Sequence, residues 1–178
     1  MSRILLYLFL GSLCFACTDP DRTSTATNDR QFRVADPNEL YFRNVRATNY
    51  RQIPGETQHQ DVYRYSTIAE HRSRPQLFAH LVLNWLEDEA YLLVAPNSVA
   101  GSFTPPLTLA DEQGERIVLG GESPQKQLEF AEAIADRLNA GLSLSLVDSK
   151  GELIPILKDR REVEGFLITL ADFRALVK

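Results

Sequence analysis

Beyond residue 17 the chain contains no cysteine, since its two cysteines are Cys14 and Cys17. That absence excludes a disulfide framework, a thiolate metal site and a cysteine nucleophile in the folded part of the protein. Histidine is also scarce, with only His59, His71 and His80. Their spacing gives no reason to expect a three-ligand zinc site, and no His-Glu-x-x-His motif is present. Gly114, Gly120 and Gly121 lack the Lys-Ser/Thr that grips phosphate and magnesium, and there is no Gly-x-Ser-x-Gly nucleophile elbow. The residues therefore call for no metal and no cofactor. Clustered cations are missing too. The formal net charge is −5, which argues against nucleic acid as a partner, because affinity for phosphate backbones comes from grouped Lys and Arg. The longest apolar run, Ile4 to Ala16, falls short of the ~20 residues that span a bilayer.

What is present begins at that run. Arg3 precedes it, and Cys17 followed by Thr18-Asp19-Pro20 ends it abruptly. A basic end, an apolar core and a small residue at the break describe a secretory signal over residues 1–16. Ala16-Cys17 resembles the lipobox of bacterial lipoproteins, whose cysteine is acylated, with palmitate among the chains, and becomes the first mature residue. The family's usual Leu three residues before the cysteine is here Cys14, with Leu13 one position further back. Cys14-Phe15-Ala16 also reads as small-x-small, so plain secretion through the same cut remains open, as does an uncleaved anchor. An unlipidated Cys17 would be an unpaired thiol in an oxidising compartment, which favours lipidation. Inner-membrane retention in this family goes with Asp after the cysteine. Thr18 stands there, so the resemblance implies the outer membrane. Residues 17–38 follow as a lipidated cysteine and flexible tether, polar apart from Phe32 and Val34.

Residues 39–178 suit one α+β domain, a mainly antiparallel sheet of about seven to eight strands with two helices packed on it. Strands are predicted at 40–47, 61–67, 77–86 and 89–95, then around a hairpin at 107–119, and at 142–146 and 153–157. In 77–86 both alternating sets are largely apolar, so this strand is central and covered on both faces. Ser123 and Pro124 open a helix with the stripe Leu128, Ala131, Ile134, Ala135 and Leu138, and Gly141 lies just past its end. Pro155 puts its strand at an edge. Asp159 caps a last helix, in which Gly165 is costly, and a short strand over 165–170 is the competing reading.

Six arginines lie between Arg43 and Arg74, whereas eleven carboxylates lie between Gln76 and Asp148. Internal cross-strand pairing accounts for this best, with Glu87-Asp88-Glu89 as partners for Arg43, Arg46 or Arg64. The same segments offer a candidate recognition surface of Tyr41, Arg43, Tyr63, Arg64, Tyr65 and Trp85. His80, the only mid-strand histidine, is a candidate base if a carboxylate meets it, although a hydrogen-bonded sheet histidine is the simpler reading. His59 and His71 read as solvated loop residues. The stretch Tyr41-Phe42-Arg43-Asn44-Val45-Arg46, with Asn84-Trp85-Leu86-Glu87-Asp88-Glu89-Ala90-Tyr91 and Pro96-Asn97, resembles a group of small lipoproteins from Bacteroidota envelopes. That resemblance implies the lipoprotein address and no catalytic residues. The combined expectation is a lipid-anchored envelope protein, non-enzymatic, that binds a protein or cell-wall partner. The alternatives are a small envelope hydrolase using His80 and a structural accessory subunit of a membrane complex.

Overall fold

The computed structural model describes residues 32–71, 73–97 and 106–177. The signal segment, Cys17, residues 18–31 of the tether and most of the loop before Pro106 lie outside the described residues. Among the described residues the fold is α+β, with eight strands in two antiparallel sheets of four. The chain runs α1 (Asp36–Tyr41), a wide turn (Phe42–Arg46), a tight turn (Ala47–Asn49), β1 (Tyr50–Ile53), β2 (Gln60–Tyr65), β3 (Leu77–Asn84) and β4 (Glu89–Pro96). It continues through β5 (Thr108–Asp111), β6 (Arg116–Val118), α2 (Pro124–Asn139), β7 (Leu144–Val147), β8 (Leu153–Ile156) and α3 (Arg160–Leu176). No helix among the described residues is long and apolar enough to cross a membrane.

The first sheet has the order β1-β2-β3-β4 and the second β6-β5-β7-β8. Every residue of β3 from Leu77 to Leu83 is buried, which matches its doubly apolar pattern. Ala79, Leu81 and Leu83 join the main core, where Phe166, Leu170 and Phe173 of α3 and Leu128, Ala131 and Ile134 of α2 also lie. Leu109, Leu144, Leu146 and Ile156 of the second sheet complete the same cluster, so one core serves both sheets. Pro155 sits in β8, an edge strand, where its missing N–H removes no ladder bond.

The signals read for the first long helix are met. Ser123 caps α2 through its hydroxyl, which accepts from Lys126 N–H, and Pro124 takes the first helical position. Gly141, at φ +78°, lets the chain leave that helix in the left-handed region. The strand reading of 165–170 is overturned, because α3 runs through it. Gly165 permits a close approach there. A Cβ at that position would lie 2.8 Å from Ile68 Cγ1 and 3.0 Å from Tyr65 Cδ1.

The strand expected at 40–47 is absent. Residues 36–49 form α1 and the two turns, and Phe42 is their only buried side chain. Pro37 sits in the first turn of α1, where it starts a helix, and this outweighs the aromatic and β-branched bias that suggested a strand. The folded part also begins before residue 39. Phe32 and Val34 are buried, and the Phe32 ring lies 6.2 Å from that of Phe173. Val34 N–H donates to Asp88 O at 2.8 Å, and Asn38 Nδ2 donates to Leu176 O at 3.2 Å. This segment covers one end of the outer edge of β4. Farther along that edge, Val94 N–H donates to Gln127 Oε1 of α2 at 2.9 Å.

Candidate functional site

A cleft of about 440 Å³ opens where the loop between β2 and β3 meets the N-terminus of α3. Ile68, Ala69 and His71 line it from the loop, and Asp159, Arg160 and Glu162 from the helix. Asp159-x-x-Glu162 has the pattern of a capping box, in which both side chains would satisfy the first backbone N–H groups of the helix. Here Asp159 holds the N-cap position with extended backbone, yet its side chain makes no cap bond. A side-chain cap stabilises a helix by about 1 kcal/mol, and that contribution is forgone. Both carboxylates turn to the loop instead. Arg74 Nη2 donates to Asp159 Oδ2 at 2.5 Å and to Glu162 Oε1 at 2.8 Å.

The loop is held by buried amides. Gln76 accepts from His71 N–H through Oε1 at 2.6 Å and donates from Nε2 to Glu162 Oε1 at 2.6 Å. Asn97 donates to the carbonyls of His71 at 3.1 Å and Arg74 at 3.0 Å, and accepts from Gln76 N–H at 3.1 Å. Gln76, Asn97 and Glu162 are all buried, so each unmade bond here would be costly. The network fixes the backbone of His71 and the carboxylate of Glu162 together. The imidazole of His71 reaches toward Asp159, with Nε2 at 4.0 Å from Oδ2. Ligand atoms of His71, Asp159 and Glu162 all lie within 4.8 Å of one another. The sequence did not single out these three. His71 sits in polar loop sequence, Asp159 reads as a cap, and nothing in the local pattern marks Glu162 as buried.

His80 is positioned differently from a catalytic base. Its Nε2 accepts from Arg64 Nε at 3.1 Å, and its Nδ1 is buried, with the backbone of Leu93 beside it. Burial first, and then the Arg64 charge, push its pKa down to about 4, so the ring is neutral at pH 7. Arg64 also lies over the Phe78 ring at 4.4 Å and donates to Glu70 at 3.1 Å. The partner of His80 is thus a cation, and among the described residues no carboxylate bonds either ring nitrogen.

The six residues of the suggested recognition surface do not share one face. Tyr63 is buried against Phe42 and Tyr50, and Tyr65 packs on Tyr50. Burial raises the Tyr63 pKa, which keeps its phenol protonated. Arg64 alternates with these tyrosines along β2 and meets His80 instead. Arg43 pairs with Glu39 at 2.7 Å and Asp61 at 3.0 Å, and Arg46 grips Asp172, which also accepts from Tyr50 OH at 2.6 Å. Arg43, Arg46 and Arg64 are paired internally, but with Glu39, Asp61, Asp172 and Glu70 rather than with Glu87, Asp88 or Glu89, because the helical segment 36–46 and the loop after β2 bring nearer carboxylates to them. Tyr41 and Trp85 remain exposed, at 58% and 49%. Leu40, Val45 and Leu86 are exposed beside them in sequence. Both groups belong to the same end of the first sheet. Arg43 of the α1 segment pairs with Asp61, while Trp85 N–H donates to His59 O at 3.2 Å and its ring packs edge-on to the His59 ring.

Compared with family models, curated proteins and solved structures, the chain matches none.

Proposed function

We propose that this chain is a lipid-anchored envelope protein, held in the outer membrane through Cys17, whose domain is a non-enzymatic binding or assembly module for a protein or cell-wall partner. The address rests on the signal-like run ending at Ala16-Cys17 and on Thr18 after it. The binding reading rests on one observation above all. The segment that joins the tether to the sheet carries Leu40, Tyr41 and Val45 at 63%, 58% and 48% exposure. Large apolar side chains grouped in water on one short segment favour a contact surface over solvent. The β3–β4 turn adds Trp85 and Leu86 at the same end of the sheet. The hydrolase alternative has less behind it, because His80 is engaged by Arg64 rather than by a carboxylate.

Photo-crosslinking in membranes tests this reading. A crosslinking residue at position 41 is expected to trap a discrete product, and one at Lys150, in the turn between β7 and β8, is not. The same pattern of products from both positions would overturn the assignment of the surface.

A further inference from the structure

We infer that the cleft at the N-terminus of α3 binds a divalent transition-metal ion of the zinc class. His71, Asp159 and Glu162 are its protein ligands, and Arg74 is the cation that the ion displaces. One imidazole and two carboxylates suit such ions better than calcium, which takes six to eight oxygens. A tetrahedral ion with bonds of about 2.1 Å sets its donors about 3.4 Å apart. The donor atoms here lie within 4.8 Å of one another, so the set must contract by roughly an ångström. The residues free to move are the right ones. The His71 and Asp159 side chains are 44% and 60% exposed, whereas that of Glu162 is 4% exposed and fixed.

Three further observations point the same way. The Asp159 carboxylate is turned from the helix N-terminus it would ordinarily cap toward the residues of the cleft. Gln76 donates to the carboxylate of Glu162, as residues behind a metal ligand commonly do, and also accepts from the backbone N–H of His71. The cleft leaves room beside the three donors for a fourth, exogenous ligand, as an open metal site requires. Arg160 and Arg161 line the same cleft, which favours an anionic fourth ligand. Charge explains the place of Arg74. Two carboxylates this close repel each other, and the guanidinium bridging them holds them together until a doubly charged ion takes over that role.

The test is a zinc titration of the full-length chain in detergent, followed by calorimetry and by thermal melting. His71→Ala is the decisive variant, because the side chain is on a loop and half exposed, and alkylating any free thiol in both proteins leaves the cleft as the site compared. Zinc is expected to raise the melting temperature of the wild type at a saturating concentration, and His71→Ala is expected to bind at least tenfold more weakly. Arg74→Met is expected to bind more tightly than the wild type, because the competing cation is gone. Equal zinc binding by wild type and His71→Ala, or binding by neither, would overturn the inference, whatever the folding of the Arg74 variant.

Discussion

His80 carries a charge question inside β3 that its neighbours answer. The ring accepts from Arg64, which requires an unprotonated Nε2, and its folded pKa lies near 4 rather than 6.5. The unfolded chain therefore binds a proton that the folded one refuses between those values. The contribution of His80 to stability is complete above about pH 6.5 and is lost as pH falls toward 4. The loss is on the order of 3 kcal/mol, taking about 1.4 kcal/mol for each pH unit of that interval. His80→Gln keeps an acceptor for Arg64 and removes the titration. Melting temperatures from pH 7 to pH 5 should fall more steeply for the wild type than for this variant. Parallel curves would mean that the ring is not held neutral. Gly165 poses a steric question at the same scale. Alanine there gains about 1 kcal/mol of helix propensity but meets the buried Ile68 side chain. Overpacking commonly costs about 1–3 kcal/mol, so Gly165→Ala should be destabilising. Ile68→Val removes the Cδ1 atom nearest that Cβ, and the double variant should lose less than the sum of the two. Simple additivity in urea melts would show that the contact does not matter.

At the scale of elements, the N-terminal segment is the place where composition misled. Residues 17–38 look too polar to fold, yet Phe32 and Val34 are buried, and the backbone at residues 33–34 pairs with the start of β4. Two apolar residues suffice because the receiving surface, Phe173 and the outer edge of β4, is supplied by distant parts of the chain. A local window contains no trace of it. A chain starting at Asn38 should therefore melt well below one starting at Thr18. Phe32→Ala alone should cost about 3 kcal/mol, in the range of a buried Phe truncation. Equal melting would show that this segment adds nothing to the fold. The same distinction separates what was readable from what was not. Doubly apolar β3, the Ser123-Pro124 start of α2, Gly141 beyond its end and the edge position of Pro155 each carry their cause in adjacent residues. The candidate cleft does not. Its histidine, its two carboxylates and the amides behind them come from residues 71–76, 97 and 159–162, which only the folded chain brings together.

At the scale of the whole molecule, the proposed anchor can be tested separately from the fold. The core is closed by residues from Phe32 to Leu176, with α2 and α3 sharing one apolar cluster with both sheets. The proposed anchor, by contrast, is the lipid on Cys17. Each methylene buried in a membrane contributes about 0.8 kcal/mol, so acyl chains on one cysteine outweigh any weak contact the domain surface can make. Cys17→Ala should therefore abolish labelling by a fatty-acid analogue and move the protein from the membrane to the soluble fraction or block its processing. The released domain should melt at the temperature of the wild type. A variant that leaves the membrane but also melts lower would show that residues near Cys17 support the fold. Equal labelling of wild type and variant would remove the lipid anchor from the account, and the contact surface at Leu40, Tyr41 and Val45 would then have to be tested without it.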